Sequence, residues 1–271
     1  MDVAENKLPY CLRALGKRDM PARIEVDGCS YVHLRTFKHD FFAATGLYQA
    51  GRPQPKQVVL KIGRRVGFLG VPLGWVGRLL AEHEAEQFRR AGGLDGVPRL
   101  VGMWGRDAIL HEYIPGHALC RGERVGDEFF ERLSALLAAM HERQMAYVDL
   151  EKPQNVLVGT DGRPYLIDFQ ISWPWPVGWL ARSVAGRWLG RRLQQGDLYH
   201  LGKLQRRFRP DQMTVEQLAK SYLRPWPVRL HQRLTRPATA LRRWVLAILG
   251  SKRPDGERGR CEENPVPGAV D

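Results

Sequence analysis

The sequence predicts an α+β fold in which a strand-rich first part is followed by helices that carry a short β-hairpin. Residues 23 to 62 are rich in β-branched and aromatic side chains, which favour strands. From about Leu73 the apolar residues recur with a helical period instead. The 271 residues are 44% apolar, which is enough for one large domain or for a small and a larger lobe sharing a cleft.

The first part is expected to contain three strands and a helix. The strands are YVHLRTF, FFAATGLYQ and KQVVLKIG, and the polar triplet at positions 38 to 40 suits a turn between the first two. The helix runs from about Leu73 to a break at positions 96 to 98. One face of this helix is formed by Leu80, Glu84, Phe88 and Ala91.

The next predicted elements are a strand, a helix and a hairpin. DAILHEYIPG is typical of a strand that ends in a Pro-Gly turn, and Asp127 is expected to cap the helix FFERLSALLAAMHERQ. Two short apolar strands, VLV and YLI, follow, joined by the turn GTDGRP. Residues 250 to 271 combine Gly, Pro and charge without periodicity, which predicts a disordered tail.

Basic residues are concentrated in the last third of the chain. Residues 177 to 253 hold 17 Lys plus Arg against 3 Asp plus Glu, a net charge of +14, while the whole chain carries +13. Such a segment favours phosphate groups, whether in nucleic acid, anionic lipid or nucleotide, and the alternative is a solvated face that serves solubility. The four cysteines form no CxxC pair, so no structural zinc site is predicted.

Two sequence features bear on localisation. The N-terminal stretch MDVAENKLPYC has no basic region followed by an apolar core, and no apolar run approaches the roughly 18 to 20 residues that span a bilayer. We therefore expect a cytoplasmic protein.

Polar side chains stand at the edges of apolar runs in the stretch AYVDLEKPQNVLVGTDGRPYLIDFQISW. Asp149 and Asn155 flank a loop between a helix and a strand, and Asp168 directly follows the last strand. Polar groups at strand ends often form catalytic sites, and two carboxylates with an amide suit the oxygen coordination of Mg²⁺. Lys61 lies within the apolar strand VVLKIG, where an ammonium needs a carboxylate partner, and Glu84 is the candidate.

These residues resemble motifs of the protein kinase-like superfamily over roughly residues 30 to 205. MHERQMAYVDL is similar to the kinase pattern LHxxxxxHRDL, with His141 eight positions before Asp149. NVLVGTDGRPYLIDF resembles the strand-turn-strand segment that ends in DFG, and its thirteen-residue separation of Asn155 from Asp168 is the family's own. VVLKIG, HEAEQF and LHEYIPG resemble the strand of the ATP-pairing lysine, the helix of its glutamate partner and the hinge.

The resemblance implies a two-lobed protein kinase-like fold. A β-rich N-lobe at about 20–113 and a helical C-lobe at about 114–249 would together form a kinase-like domain over residues 1–249. Lys61 would order the α- and β-phosphates of ATP, and Glu84 would hold Lys61. Asp149 would be the catalytic base or orienter, while Asn155 and Asp168 would bind Mg²⁺.

The resemblance also implies three further contacts. Glu112 to Ile114 would meet the adenine through backbone groups. The first hairpin has no GxGxxG, so Lys38 at its tip is expected to touch phosphate where the family uses backbone amides. Asp197, in GDLYHLG, is similar to the later aspartate that braces the catalytic loop.

The chain departs from the family pattern at several positions. The His and Arg of HRD are Tyr147 and Val148, and the glycine of DFG is Gln170, which loses the backbone freedom of glycine. Asp149 and Asn155 are six positions apart rather than five, so one residue is inserted near Lys152, which becomes a second candidate for a phosphate contact. These features are similar to those of an atypical small bacterial branch that includes the lipopolysaccharide Kdo and core heptose kinases and the RIO-like kinases.

The stretch WPWPVGWLARSVAGRWLGRRL bears on the acceptor. It places tryptophans among arginines, with Leu180, Val184 and Trp188 on one helical face, and LRRWVLAILG repeats the pattern. Such a face is typical of a peripheral contact with an anionic membrane, and the alternative is that it packs on the body of the protein. We therefore expect an ATP-dependent kinase acting on a lipopolysaccharide-type sugar at the inner membrane face.

Other functions remain open at the level of sequence. A Ser/Thr protein kinase of the RIO-like kind would take a protein acceptor instead of a glycolipid. The altered DFG and the inserted loop residue favour a pseudokinase or membrane-docking scaffold. Binding of a specific nucleic acid is not expected, because nothing beyond charge supports it.

Overall fold

The computed structural model describes residues 9–51, 56–174 and 183–222, and its fold is mixed α+β, as the sequence predicts. The described residues divide into two compact units. The first unit comprises residues 9–51, 56–89 and 99–113, and the second comprises residues 90–98, 114–174 and 183–222. The tail predicted at 250–271 lies outside the described residues, and none of the described helices is long and apolar enough to cross a membrane.

The first unit is built on an antiparallel sheet of six strands. The strands are β1 (Arg23–Val26), β2 (Cys29–His39), β3 (Ala43–Ala50), β4 (Gln57–Gly63), β5 (Leu100–Met103) and β6 (Ala108–Glu112). Their order in the sheet is β1-β2-β3-β4-β6-β5. Helix α1 (Gly74–Ala91) follows β4, where the helical period predicts it. The sequence reasoning missed β5, a short strand that contains a glycine.

The alternation of side chains along β4 decides which of them reach the main core. Val58, Leu60 and Ile62 are fully buried and belong to the main apolar cluster of the sheet. Successive residues of a strand point to opposite faces, so Val59 and Lys61 lie on the other face. Lys61 is thereby kept out of the main core.

The turn between β2 and β3 lies two residues later than the sequence predicts. β2 continues through Lys38 to His39, and the turn occupies positions 40 to 42. Asp40 fixes this turn, because its Oδ1 accepts hydrogen bonds from the backbone N–H groups of Phe42 (2.8 Å) and Ala43 (2.9 Å). The position of the turn is determined by these two hydrogen bonds more than by the polarity of positions 38 to 40.

Arg64, directly after β4, ties this turn to the N-terminal segment. Its guanidinium is buried and lies over the ring of Phe41, 4.0 Å from the ring centroid. Burial lowers the pKa of Arg64, and the charge is stabilised by carbonyl dipoles. The guanidinium donates hydrogen bonds to the carbonyl oxygens of Cys11, Arg13, Phe41, Val66 and Gly67. The hairpin tip is therefore anchored through main-chain groups.

The second unit combines helices with two small antiparallel sheets, one in the order β10-β9-β7 and one pairing β11 with β8. The predicted hairpin of VLV and YLI is confirmed, because Val156 pairs with Leu166. The helices are α2 (Phe129–Glu142), α3 (Val184–Phe208) and α4 (Val215–Tyr222). The strands are β7 (Gly116–Ala118), β8 (Met145–Ala146), β9 (Val156–Gly159), β10 (Pro164–Leu166) and β11 (Trp173–Pro174).

The predicted capping of α2 by Asp127 is wrong. The residue before the helix is Glu128, and its side chain forms no capping hydrogen bond. The carboxylate of Asp127 instead accepts a hydrogen bond from Nη2 of Arg209, 82 residues later in the chain, at 2.6 Å. A charge-assisted hydrogen bond to a guanidinium is stronger than a cap on a neutral amide, so the long-range contact prevails.

Candidate functional site

Lys61 and Glu84 form a buried ion pair in the first unit. Nζ of Lys61 lies 2.8 Å from Oε1 of Glu84, and the two side chains are 13% and 3% exposed. The structure confirms the pairing that was predicted from the cost of burying an ammonium. Truncating one partner of a pair this buried is usually strongly destabilising, so each side chain fixes the position of the other.

Two glycines allow α1 to come close enough to β4 for this pair to form. A Cβ on Gly63 would lie 2.6 Å from the carbonyl oxygen of Gly77, and a Cβ on Gly77 would lie 2.2 Å from that of Arg64. Lys61 is two residues before Gly63 along the strand, and Glu84 is seven residues after Gly77 along the helix. Each therefore lies on the same face as its glycine. The close backbone contact brings the ammonium and the carboxylate within reach.

The remaining first-unit candidates already have partners within the fold. The backbone N–H of Glu112 donates to Arg99 O at 2.8 Å, and its carbonyl accepts from Nδ1 of His111 at 2.9 Å. Tyr113 directly follows β6, and its N–H donates to the carbonyl oxygen of Gln57 at 3.2 Å. Ile114 is the first residue of the next segment of the second unit. A backbone N–H that donates to an adenine here would therefore have to come from Ile114 or a later position.

Lys38 pairs with the turn carboxylate of Asp40 and has a side chain that is 57% exposed. Burial alone would raise the pKa of Asp40, but Lys38 and the amides of Ala43 and Phe42 outweigh it, and the net pKa is lowered. The ammonium of Lys38 thus supports the turn. It lies at the exposed surface, where an anion could compete for it.

In the second unit, Asp197 of α3 holds the loop that contains Asp149. Its Oδ2 accepts hydrogen bonds from the backbone N–H of Tyr147 (2.8 Å) and from Nε2 of His141 (3.0 Å). Its Oδ1 accepts from the N–H of Val148 at 2.7 Å. The bracing role expected from the resemblance is confirmed by these contacts. Val148 has a φ of 69°, a left-handed conformation that is costly for a β-branched residue and that the carboxylate helps to maintain.

Asn155 is oriented by Asp149. Its Nδ2 donates to the carbonyl of Asp149 at 3.2 Å and to Oδ2 of the same residue at 2.7 Å. Both partners are acceptors only, which settles the orientation of the amide and leaves Oδ1 of Asn155 as the oxygen available to a ligand. Nζ of Lys152 also lies 2.6 Å from Oδ2 of Asp149, so this oxygen is shared by an amide and an ammonium.

The loop residue that the resemblance marks as inserted lies at the surface. Leu150 is fully buried, whereas Glu151 is exposed, and its carboxylate accepts a hydrogen bond from Lys203 of α3 at 3.0 Å. The loop then closes into a short 3-10 turn at Pro153–Asn155. The loop therefore bulges outward at Glu151, and Asp149 and Asn155 are in contact.

Asp168 follows β10 at a point that is bonded to the same loop. The N–H of the preceding residue, Ile167, donates to the carbonyl of Asn155 at 3.1 Å, and its carbonyl accepts from the hydroxyl of Tyr147. Asp168 itself is half-buried and has a φ of 63°. Phe169 is fully buried and packs edge-on against Tyr147, with ring centroids 5.4 Å apart.

Gln170, at the position where the resemblance leads one to expect a glycine, needs no special backbone conformation. The left-handed residue of this segment is Asp168, and Gln170 does not have a positive φ. The expected cost of losing the glycine is therefore absent in this conformation.

His200 is a neighbour of the loop that sequence reasoning missed. Its ring is buried, and Nδ1 has no hydrogen-bond partner. Burial lowers its pKa, a shift that Lys203 reinforces and that the carboxylates of Glu151, Asp197 and Asp149 oppose. Its position three residues after Asp197 on the same helix was the available signal.

Among the described residues, no group of three or more His, Cys, Asp or Glu side chains is arranged to hold a metal ion. Magnesium is commonly held by one or two protein oxygens together with water and phosphate oxygens, so a smaller ligand set suits it. Oδ1 of Asn155 and the carboxylate of Asp168 are oxygen donors of this kind.

No family model matches the chain, and a comparison with curated proteins finds no similar sequence.

Proposed function

We propose that the protein is an ATP-dependent kinase with a two-lobed protein kinase-like fold, which transfers the γ-phosphate of MgATP to a hydroxyl group. The observation that carries the proposal is the hydrogen-bonded loop of the second unit, in which Asp197 holds the backbone and Asp149 orients the amide of Asn155. Phosphoryl transfer needs little covalent help from protein, so rigid placement of such groups is the main requirement.

Each side chain has a role that its contacts support. Asp149 would accept a hydrogen bond from the acceptor hydroxyl and orient its oxygen toward the γ-phosphate. Lys61, held by Glu84, would order the α- and β-phosphates. Asn155 and Asp168 would bind Mg²⁺, which neutralises charge on the phosphate oxygens when it is bound.

Lys152 gives this loop a feature of its own. Its ammonium lies 2.6 Å from Oδ2 of Asp149, and its side chain is 59% exposed. The other carboxylate oxygen, Oδ1, would accept the hydrogen bond of an acceptor hydroxyl, and the ammonium would then lie close enough to contact the transferred phosphate.

The acceptor that we propose is a lipopolysaccharide-type sugar at the inner membrane face. Support comes from the exposed arginines and Trp188 on α3, which suit a membrane surface better than a protein substrate. A lipid-linked sugar would then be presented where the protein is already bound.

The test is phosphotransfer from γ-labelled ATP, with Mg²⁺ and a bacterial membrane extract, by wild-type protein and by Asp149→Asn and Asp168→Asn. We expect label in the lipid extract with wild type and a loss of about 100-fold or more in each variant, because each removes a charge that acts on the reacting groups. Asp95→Asn is the matched control, because its carboxylate is 73% exposed and pairs only weakly with Arg163, at 3.4 Å.

The fraction that contains the label separates the alternatives. Label on protein instead of lipid would identify a protein kinase. If wild type and Asp168→Asn are both folded by circular dichroism and neither labels any fraction, the proposed kinase activity is wrong. The scaffold alternative would then remain.

A further inference from the structure

The first three turns of α3 present apolar and basic side chains to solvent. Val184 is 77% exposed and Trp188 is 49% exposed. Val184 and Trp188 lie on one side of the helix with four polar residues, and the six together line an open hollow of about 460 Å³. The polar members of this face are Arg187, Arg191, Arg192 and Gln195.

The opposite side of α3 is the one that packs against the second unit. Gly186 and Gly190 are buried, and each is two residues, about 200° around the helix, from Trp188. The same buried side continues with Asp197, His200, Leu201, Leu204 and Phe208. The helix therefore contacts the body of its unit through one face and turns the tryptophan and arginine face outward.

Among the described residues, every charged side chain of this face is basic. Positions 183 to 196 contain three arginines and no acidic residue, and the guanidinium of Arg192 lies 5.4 Å from the ring centroid of Trp188. The first turn of α3, like that of α1, carries no acidic residue.

We propose that this α3 face, defined by Val184, Arg187, Trp188, Arg191 and Arg192, docks on a bilayer that contains anionic phospholipid. The guanidiniums bind headgroup phosphates, Trp188 lies at the level of the headgroups, and Val184 enters the acyl boundary. A nucleic acid would use the arginines but would leave a 77% exposed valine without a role. The combination of exposed aliphatic, indole and guanidinium groups therefore favours lipid.

The lipid contact does not depend on the proposed phosphotransfer, although the same helix connects the two. Asp197, which holds the loop of Asp149, lies nine residues beyond Trp188 on α3. Docking through this face would set the orientation of that loop relative to the membrane.

The experiment is co-sedimentation of the full chain with vesicles of phosphatidylcholine alone or mixed with phosphatidylglycerol. The test variant carries Arg187→Gln, Arg191→Gln and Arg192→Gln. The matched control carries Arg23→Gln, Arg78→Gln and Arg121→Gln, which removes the same charge from exposed positions elsewhere. Each basic residue near an anionic surface strengthens binding about fivefold, so the test variant should bind phosphatidylglycerol vesicles on the order of 100-fold more weakly than the control.

Trp188→Ala tests the apolar part of the face. We expect it to weaken binding at high salt, where screening leaves the apolar contribution dominant. Equal binding by the two triple variants would overturn the proposal, since net charge alone would then account for the attachment. Displacement of wild type from vesicles by DNA, with DNA binding lost in the test variant, would assign the face to nucleic acid instead.

The outcome is separable from that of the kinase assay. ATP turnover without vesicles should be the same in the test variant and wild type, because none of the three arginines belongs to the candidate active site. Vesicle binding without ATP turnover would support the proposed lipid contact and contradict the proposed kinase activity. ATP turnover without vesicle binding would support the kinase activity and contradict the lipid contact.

Discussion

Asp197 is the single residue on which the geometry of the loop most depends, although it would touch no ligand. One carboxylate accepts hydrogen bonds from two successive backbone amides and from His141, and it is fully buried. Only a carboxylate offers enough lone pairs in this direction. The left-handed backbone at Val148 follows from this arrangement.

We predict that Asp197→Ala lowers the free energy of unfolding by about 2 to 5 kcal/mol, because it leaves two buried amides without an acceptor. Urea denaturation measures the change. Asp95→Ala, which removes an exposed carboxylate, should change it by less than about 0.5 kcal/mol. Equal stability of the two variants would contradict the role given to Asp197.

Predictions for single residues succeeded where the energetic cost of burying a group could be judged from its neighbours in the sequence. Lys61 on an apolar strand needed a carboxylate, and Glu84 was the acidic residue on the apolar face of the next helix, so the pair was predictable. The contacts of Lys203 with Glu151, and the burial of His200, join segments about 50 residues apart. No local pattern encodes these, because they depend on how α3 packs.

At the scale of elements, the meeting of β4 and α1 depends on the glycines at positions 63 and 77. We predict that Gly77→Ala lowers the free energy of unfolding by about 1 to 3 kcal/mol, since its Cβ would lie 2.2 Å from the carbonyl oxygen of Arg64. The shifted helix should also separate Lys61 from Glu84.

The control is another helical glycine with open space around it. A Cβ on Gly196 in α3 would have no neighbour within 4 Å, so Gly196→Ala should raise stability by about 0.5 to 1 kcal/mol. Urea denaturation of both variants gives the comparison. Changes of the same sign would show that close packing at Gly77 is not the cause.

Element types and order were predictable from periodicity, and the errors came from individual side chains. The helix after Leu73 and the VLV–YLI hairpin have strong patterns and are present. The first turn was misplaced because Asp40 binds two amides beyond it, and the cap of α2 was wrong because Arg209 binds Asp127. Strand β7 has three residues, which is too few for a period to show.

At the scale of the whole molecule, each unit contains a histidine whose pKa is lowered by burial. In the first unit, the N–H of Leu15 donates to Nε2 of His39 at 3.2 Å, so this nitrogen must be unprotonated. Burial lowers the pKa of His39 and Arg13 adds to the shift, while Asp19 and Asp40 oppose it. In the second unit, burial lowers the pKa of His200.

We predict that these histidines make the fold less stable as the pH falls below 6.5. Their folded-state pKa values lie below the unfolded value of 6.5, so the unfolded chain binds more protons in that interval. Stability is therefore complete above pH 6.5 and is lost as the pH falls toward the lowered pKa values. Each histidine contributes a slope of at most about 1.4 kcal/mol per pH unit.

Urea denaturation between about pH 5 and pH 7.5 measures this slope. His39→Gln combined with His200→Gln should flatten it, because glutamine does not titrate. The pKa values of Asp40 and Asp161 are lowered in the folded protein, by Lys38 and backbone amides for Asp40 and by hydrogen bonds from Arg163 and Tyr165 for Asp161, so these carboxylates titrate mainly at more acidic pH than this interval. A double variant as pH-sensitive as wild type would show that other groups are responsible.

Because the loop bulges outward at Glu151, the number of residues between Asp149 and Asn155 does not determine how far apart their side chains lie. A solvent-facing residue can be added to this loop while Asn155 stays 2.7 Å from the carboxylate of Asp149. Sequence patterns that demand a fixed interval between acid and amide would pass over such chains. Searches that let this interval vary, and require a buried aspartate some 50 residues downstream, should recover further proteins built in the same way.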